Sequence, residues 1–133
     1  AFQMLPYPFL DARNNSESCK KFTDTPMWNS SLSSRITPMT KADKSRPDYV
    51  YYSPVEADSF EGLPPAYIET AEFDCLHDDG ILYAELLRNA GIEVVLNETK
   101  GTMHGYDIVQ RSPVTKASLE ARIRFMKEQY NGR

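Results

Sequence analysis

Between Leu63 and Tyr106 the sequence leaves little freedom of fold. The Pro64-Pro65 step stops any helix, and Ala66 to Ala71 reads as a strand buried on both faces. An acidic turn follows at Asp74, then a helix, a Val-rich second strand and His104-Gly105-Tyr106. Asp74 and His104 are 30 positions apart, each just past the end of a predicted strand. In a parallel sheet both side chains emerge on the same rim, the geometry that holds an imidazole in one tautomer beside a nucleophile. The nucleophile itself is missing. The sequence contains no Gly-x-Ser-x-Gly, and no run of glycines that would build an oxyanion hole or cradle a phosphate. Residue chemistry alone therefore supports two thirds of a catalytic triad.

The totals bound the rest. A length of 133 residues suits one domain with a modest core, and 41% apolar with 26% charged residues describe a soluble globular chain. The net charge of -4 argues against nucleic-acid or anionic-membrane partners, which call for clustered Lys and Arg; the nearest basic pair is Lys20-Lys21. Cys19 and Cys75 make no disulfide framework, no Cys/His cluster has zinc spacing, and reduced thiols point to the cytoplasm. Apolar runs are too short to span a bilayer. The start, Ala1-Phe2-Gln3-Met4-Leu5, has no initiator Met and no charged segment ahead of an apolar one, so it reads as the middle of a longer protein and not as a signal peptide.

In chain order, Phe2 to Tyr7 predicts a short strand in which Pro6 sits awkwardly, because proline cannot donate to a ladder. Residues 12–54 are rich in Ser, Thr, Asn, Lys and Pro without periodicity, which predicts a lid over a site. Within it Thr25-Pro26 predicts a helix from Pro26 to about Ser34, while Trp28, Tyr49, Tyr51 and Tyr52 either line an apolar pocket or pack the lid onto the body. Asp78 is the expected N-cap of a helix running to about Asn89, with Asp79 in its first turn and Gly91 as a left-handed stop. Ile92 to Asn97 predicts a strand, and Thr99 to Tyr106 a loop holding Gly101 and Gly105. Ser112-Pro113 opens a last helix in which Leu119, Ile123, Met126 and Tyr130 form the expected core-facing stripe, with Arg122, Arg124 and Lys127 late in the helix, where cations suit its dipole. Strands alternating with helices through short connections predict an α/β chain with a parallel sheet.

Among the residues able to do chemistry, His104 is poorly explained by packing, since the nearby glycines fix an unusual loop path. Asp74, ahead of the helix, is free to accept the imidazole N–H. His77 reads as solvent-exposed beside the cap. Cys75 reads as a weak nucleophile candidate, because its Asp neighbour would raise the thiol pKa.

The stretches Leu63-Pro64-Pro65-Ala66-Tyr67-Ile68, Ala71 through Gly80, Tyr83-Ala84, Ala90-Gly91 and Gly101-Thr102-Met103-His104-Gly105-Tyr106 closely resemble the C-terminal half of the hormone-sensitive-lipase-like α/β-hydrolases, which include bacterial acetyl esterases and carboxylesterases. That family reads Asp-Pro-Leu-Arg-Asp-Glu-Gly at the acid and His-Gly-Phe at the histidine. The departures here are Cys75 for proline, His77 for arginine and Tyr106 for phenylalanine. The resemblance implies the last three parallel strands of an eight-stranded hydrolase sheet, with flanking helices and a lid-like insertion. It also implies Asp74 as triad acid, His104 as general base and Thr25-Pro26-Met27-Trp28 as a substrate-covering segment. The serine and the oxyanion motif are then expected upstream of residue 1, with no metal or cofactor. The whole protein is expected to be an acetyl esterase or lipase-like hydrolase of short acyl esters, with this chain alone inactive. Plant hormone receptors of the superfamily have lost the histidine, so its presence favours an enzyme. Two rivals stay open: a non-catalytic module associating, with itself or another chain, through the exposed edge of the first strand, and a hydrolase of amides or lactones.

Overall fold

Three strands pair in parallel in the spatial order β1 (Gln3–Pro6), β2 (Ala66–Phe73), β3 (Val94–Met103). The structure, a computed structural model, describes residues 1–40 and 43–132. Parallel neighbours need crossovers. The connection from β1 to β2 holds α1 (Glu17–Lys21), α2 (Ser30–Ile36) and three short 3-10 turns; that from β2 to β3 holds α3 (His77–Asn89). A final helix, α4 (Pro113–Asn131), closes the chain. Because the strands share a direction, their carboxyl ends share one rim.

Residues Ala66 to Ala71 of β2 are all buried, as expected of a central parallel strand. Alternate side chains go to opposite faces. Ala66 and Ile68 pack with Tyr83, Ala84 and Leu87 of α3 and with Leu10 and Val55 of the first crossover. Tyr67 instead meets Phe125 of α4, ring centroids 5.8 Å apart, and Glu69 pairs with Arg122. Helix α3 approaches so closely that a Cβ on Gly80 would lie 2.5 Å from Thr70 Cγ2 and 3.3 Å from Ile68 Cγ2.

Four local expectations are corrected. Helix α2 begins at Ser30 and not at Pro26, because Asn29 caps it by accepting from Leu32 N at 2.9 Å, while Thr25 Oγ1 donates to Trp28 O and Met27 takes a left-handed φ of 69°. Strand β3 runs on to Met103, since Thr99 Oγ1 donates to Thr70 O at 2.8 Å and Glu72 N donates to Thr102 Oγ1 at 3.3 Å, tying the expected loop back to β2. The stripe on α4 faces outward: Leu119, Ile123 and Tyr130 are exposed, whereas Thr115, Ser118 and Phe125 are buried. The strand face under α4 carries Glu69 and Asn97, and these select the helix face that holds Arg122 and Ser118. Arg122 is thus an inward ion-pair partner and not a cation placed for the helix dipole. Finally, Leu76 and not Asp78 occupies the N-cap of α3, with no side-chain cap bond.

The two aspartates at the start of α3 hold the first crossover instead. Asp78 Oδ2 accepts from Ser18 N at 2.8 Å, and Asp79 Oδ2 accepts from Leu10 N at 3.3 Å and Asp11 N at 3.2 Å. Asp79 is 2% exposed, and burial pushes its pKa up from 3.8 to about 7 despite those two donors. Between these values the folded chain keeps a proton that the unfolded chain has lost, so stability falls as pH rises from about 4 to about 7, and the whole cost is carried above that. Of the 12–54 segment, residues 41 and 42 lie outside the described residues; Ser18 ties the segment to α3 through Asp78.

Two outcomes are expected in urea unfolding. Asp79→Asn keeps an oxygen acceptor but removes the titration. Relative to it, the unchanged chain should lose up to about 1.4 kcal/mol per pH unit across that window; parallel stability curves for the two proteins would refute the assignment. Gly80→Ala should destabilise by about 1–2 kcal/mol at any pH. Overpacking against two β-branched strand residues outweighs the helix propensity gained.

Candidate active site

The rim of the sheet is built by a register irregularity. Ala71 pairs with Thr99 and Phe73 with Met103, so β3 spends four residues where β2 spends two. The surplus is absorbed around Gly101, whose φ is +66° and whose N–H donates to Glu72 Oε2 at 2.6 Å. The next residue on each strand is then Asp74 or His104, brought level with each other.

Asp74 is fully buried. Its Oδ1 accepts from Leu76 N at 3.0 Å, which fixes the carboxylate plane, and its Oδ2 lies 2.8 Å from His104 Nδ1. A carboxylate only accepts, so Nδ1 carries the proton and Nε2 presents its lone pair. Nε2 has no hydrogen-bond partner among the described residues, and the side chain keeps 22% of its exposure. Gly105, at φ +71°, turns the chain away immediately after the histidine. Above the site, Trp28 lies 5.9 Å from the His104 ring centre and Met27 Cε is 3.4 Å from where a Gly105 Cβ would stand. The structure therefore gathers all four expected site residues, Asp74, His104, Met27 and Trp28, at one place.

The other candidates lie apart from this pair. His77 Nδ1 is 3.0 Å from Asp78 Oδ1 and its Nε2 is 3.7 Å from Glu98, at the outer end of α3. Cys75 is buried; its carbonyl accepts from Ser18 Oγ at 2.8 Å and Cys19 Sγ at 3.2 Å, and burial beside Cys19 holds its thiol protonated. Of the four lid aromatics, Trp28 and Tyr52 line an apolar cavity of about 180 Å³ with Phe9 and Ile36. Tyr49 instead donates to Glu56, and Tyr51 is exposed. Among the described residues no group of three or more His, Cys, Asp or Glu side chains is arranged to hold a metal, and no helix is long and apolar enough to cross a membrane.

Sequence reasoning missed what lies beneath the histidine. Tyr7, at φ +36°, places its ring 4.6 Å from the His104 ring and donates its hydroxyl to Asp107 Oδ1 at 2.7 Å. Arg122 Nη1 donates to Asp107 Oδ2 at 2.8 Å, and its Nη2 and Nε both donate to Glu69. Glu69 also accepts from Tyr106 Oη at 2.6 Å and Tyr67 Oη at 2.8 Å. Burial raises the Glu69 carboxyl, but the donors Arg122, Tyr106 and Tyr67 outweigh it and hold the group below its ordinary value, ionised. Burial, then the neighbouring carboxylates, push Tyr7 and Tyr106 up to about 12, so both hydroxyls keep their protons. The one sequence signal for all this is an acid in the middle of the otherwise uncharged, buried stretch Ala66 to Ala71.

A carboxylate and an imidazole are thus bonded across the carboxyl ends of adjacent parallel strands, in a sheet whose strand direction and crossovers are those of an α/β fold. The comparisons with known proteins agree. A family model described as the α/β-hydrolase fold matches residues 1–108, and the chain belongs to that family. Carboxylesterase NlhH of Mycobacterium tuberculosis is 49% identical over 69 residues, 52% of this chain and 21% of its own length. A putative α/β-hydrolase, R526, of Acanthamoeba polyphaga mimivirus is 30% identical over 128 residues, 90% of this chain and 36% of its own. A solved bacterial heroin esterase superposes with a TM-score of 0.83 at 32% identity, covering 92% of this chain and 40% of that one. The chain thus spans between about a fifth and two fifths of the length of these relatives, in their C-terminal portion.

Proposed function

We propose that this chain supplies the acid and base of a carboxylic ester hydrolase acting on short acyl esters, with a serine nucleophile contributed from outside these 133 residues. The observation that carries the reading is the 2.8 Å bond from His104 Nδ1 to Asp74 Oδ2, which leaves Nε2 unpartnered among the described residues. In the complete site His104 Nε2 takes the serine proton as the oxygen attacks the ester carbonyl, then returns it to the departing alcohol. Asp74 holds the tautomer and stabilises the imidazolium, and water repeats the cycle to release the acid. The relatives named carboxylesterase and heroin esterase support an ester over other acyl compounds.

Residues 12–54 act as the covering segment in this reading, with Met27 and Trp28 meeting the substrate. Trp28 stands between the imidazole and the 180 Å³ cavity, and its buried Nε1 has no partner among the described residues. A cavity of that size admits a group of a few heavy atoms, given about 30 Å³ per water-sized unit. Two buried, unpaired cysteines suit a reducing compartment, and we place the protein in the cytoplasm.

The test is p-nitrophenyl acetate hydrolysis. The 133-residue chain alone should show no turnover above buffer. A chimera joining Ala1 to the preceding part of a full-length esterase relative should turn over, with His104→Ala and Asp74→Asn each lowering kcat by about 10³–10⁴. Turnover by the chimera that survives His104→Ala would sink the proposal.

A further inference from the structure

We infer that Glu69, Arg122 and Asp107, with the hydroxyls of Tyr7 and Tyr106, form a positioning device that holds His104 in the place from which Asp74 fixes its tautomer. The inference rests on His104 being the general base proposed above. One hydrogen bond to Asp74 fixes the direction of the imidazole Nδ1 but not the ring's tilt, and the next residue, Gly105, has a backbone that resists little.

The network supplies the missing restraints from two sides. Along the chain, the two residues after Gly105 are both anchored: Tyr106 donates to Glu69 Oε1 and meets Ser118 Oγ at 2.6 Å, and Asp107 accepts from Arg122. Across space, the ring lying against His104 belongs to Tyr7, whose hydroxyl ends on that same Asp107. The residues two and three past the histidine and the tilted ring against it therefore converge, directly or through Glu69 and Asp107, on one guanidinium. Glu69 roots the guanidinium in the middle of β2, where nothing moves independently of the sheet.

Stability alone does not call for a buried charge on this face of β2, although the charge, once there, selects the face of α4 that meets it. An apolar side chain at position 69 would fill the same face, and a buried ion pair seldom stabilises more than well-packed hydrophobes of similar volume. The network is better explained by where its ends go. Two carboxylates share one guanidinium, and the far carboxylate, Asp107, sits three residues past the histidine and holds the Tyr7 ring against it. The Tyr106 hydroxyl is the atom that joins the histidine loop to Glu69.

The test reads the full chain with ¹⁵N-labelled histidine. Only His77 and His104 contribute signals, and long-range ¹⁵N–¹H correlation above the histidine range, at about pH 8.5, shows which ring nitrogen carries the proton. The unchanged chain should show His104 as a single Nδ1–H form. In Tyr7→Phe/Tyr106→Phe, which removes two oxygens and nothing else, the minor Nε2–H form should grow about fivefold per hydroxyl lost. The His77 signals should not change. Glu69→Met/Arg122→Met, which replaces the buried pair by apolar side chains and leaves Asp107 bonded to Tyr7 alone, should loosen His104 in the same way. A His104 that stays in one tautomer in both variants overturns the inference while leaving the hydrolase reading intact. A His104 without a preferred tautomer in the unchanged chain overturns the hydrolase reading itself.

Discussion

Asp74 and His104 meet because β2 and β3 run side by side in one direction and because β3 gains two residues on the way to the rim. With a regular ladder, Phe73 would face Gly101, and the histidine would emerge two residues, roughly 6–7 Å, beyond the carboxylate. The irregularity around Gly101 removes that offset. Its left-handed backbone is open to glycine at no steric cost, and its N–H is taken up by Glu72 so that the interrupted ladder leaves no orphan there. Every other feature of the candidate site follows from this alignment. The carboxylate is buried because it ends a strand covered on both faces, and the imidazole is half open because its strand is the outer one.

The same central strand carries a buried charge. Glu69 is wholly buried, and taking an ionised carboxylate out of water costs several kcal/mol even after relaxation. Five donors on four residues, Arg122, Tyr106, Tyr67 and Asn97, meet its two oxygens, so the group is satisfied and stays charged. Satisfying it dictates which face of α4 turns inward. That is why Ser118 and Arg122 are covered while Leu119 and Ile123 are left outside. The packing of the last helix is therefore set by a charge on the sheet and not by the helix's own apolar stripe.

How far the sequence reveals the structure follows from this. The strand-forming run from Ala66 to Ala71, the Gly91 stop and the Asp74 and His104 spacing are local patterns, and the three parallel strands and the meeting of that carboxylate with that imidazole were legible in them. The stripe on α4 misled because periodicity shows that one face is apolar, not which face the neighbouring strand needs. Asp78 and Asp79 have the composition of a helix cap, yet they serve chain segments about 60 to 70 residues away, which no local rule anticipates. Glu69 was visible throughout as a lone acid in a buried strand, but its partners come from a helix and a loop far along the sequence, and only the fold names them.

Pro6 shapes the outer edge of β1. Gln3 N and Tyr7 N both donate to the β2 side, and parallel strands alternate sides residue by residue, so Met4 and Pro6 face outward from the sheet. That edge offers the Met4 N–H and two carbonyls, but no donor at position 6, where an ordinary residue would have one. An indiscriminate β partner gains one hydrogen bond fewer there than on an unbroken edge, which disfavours casual pairing between copies. A strand whose own donors aim at the Met4 and Pro6 carbonyls would still fit. The edge is thus selective rather than open. It ends beside Tyr7, the residue whose ring meets His104.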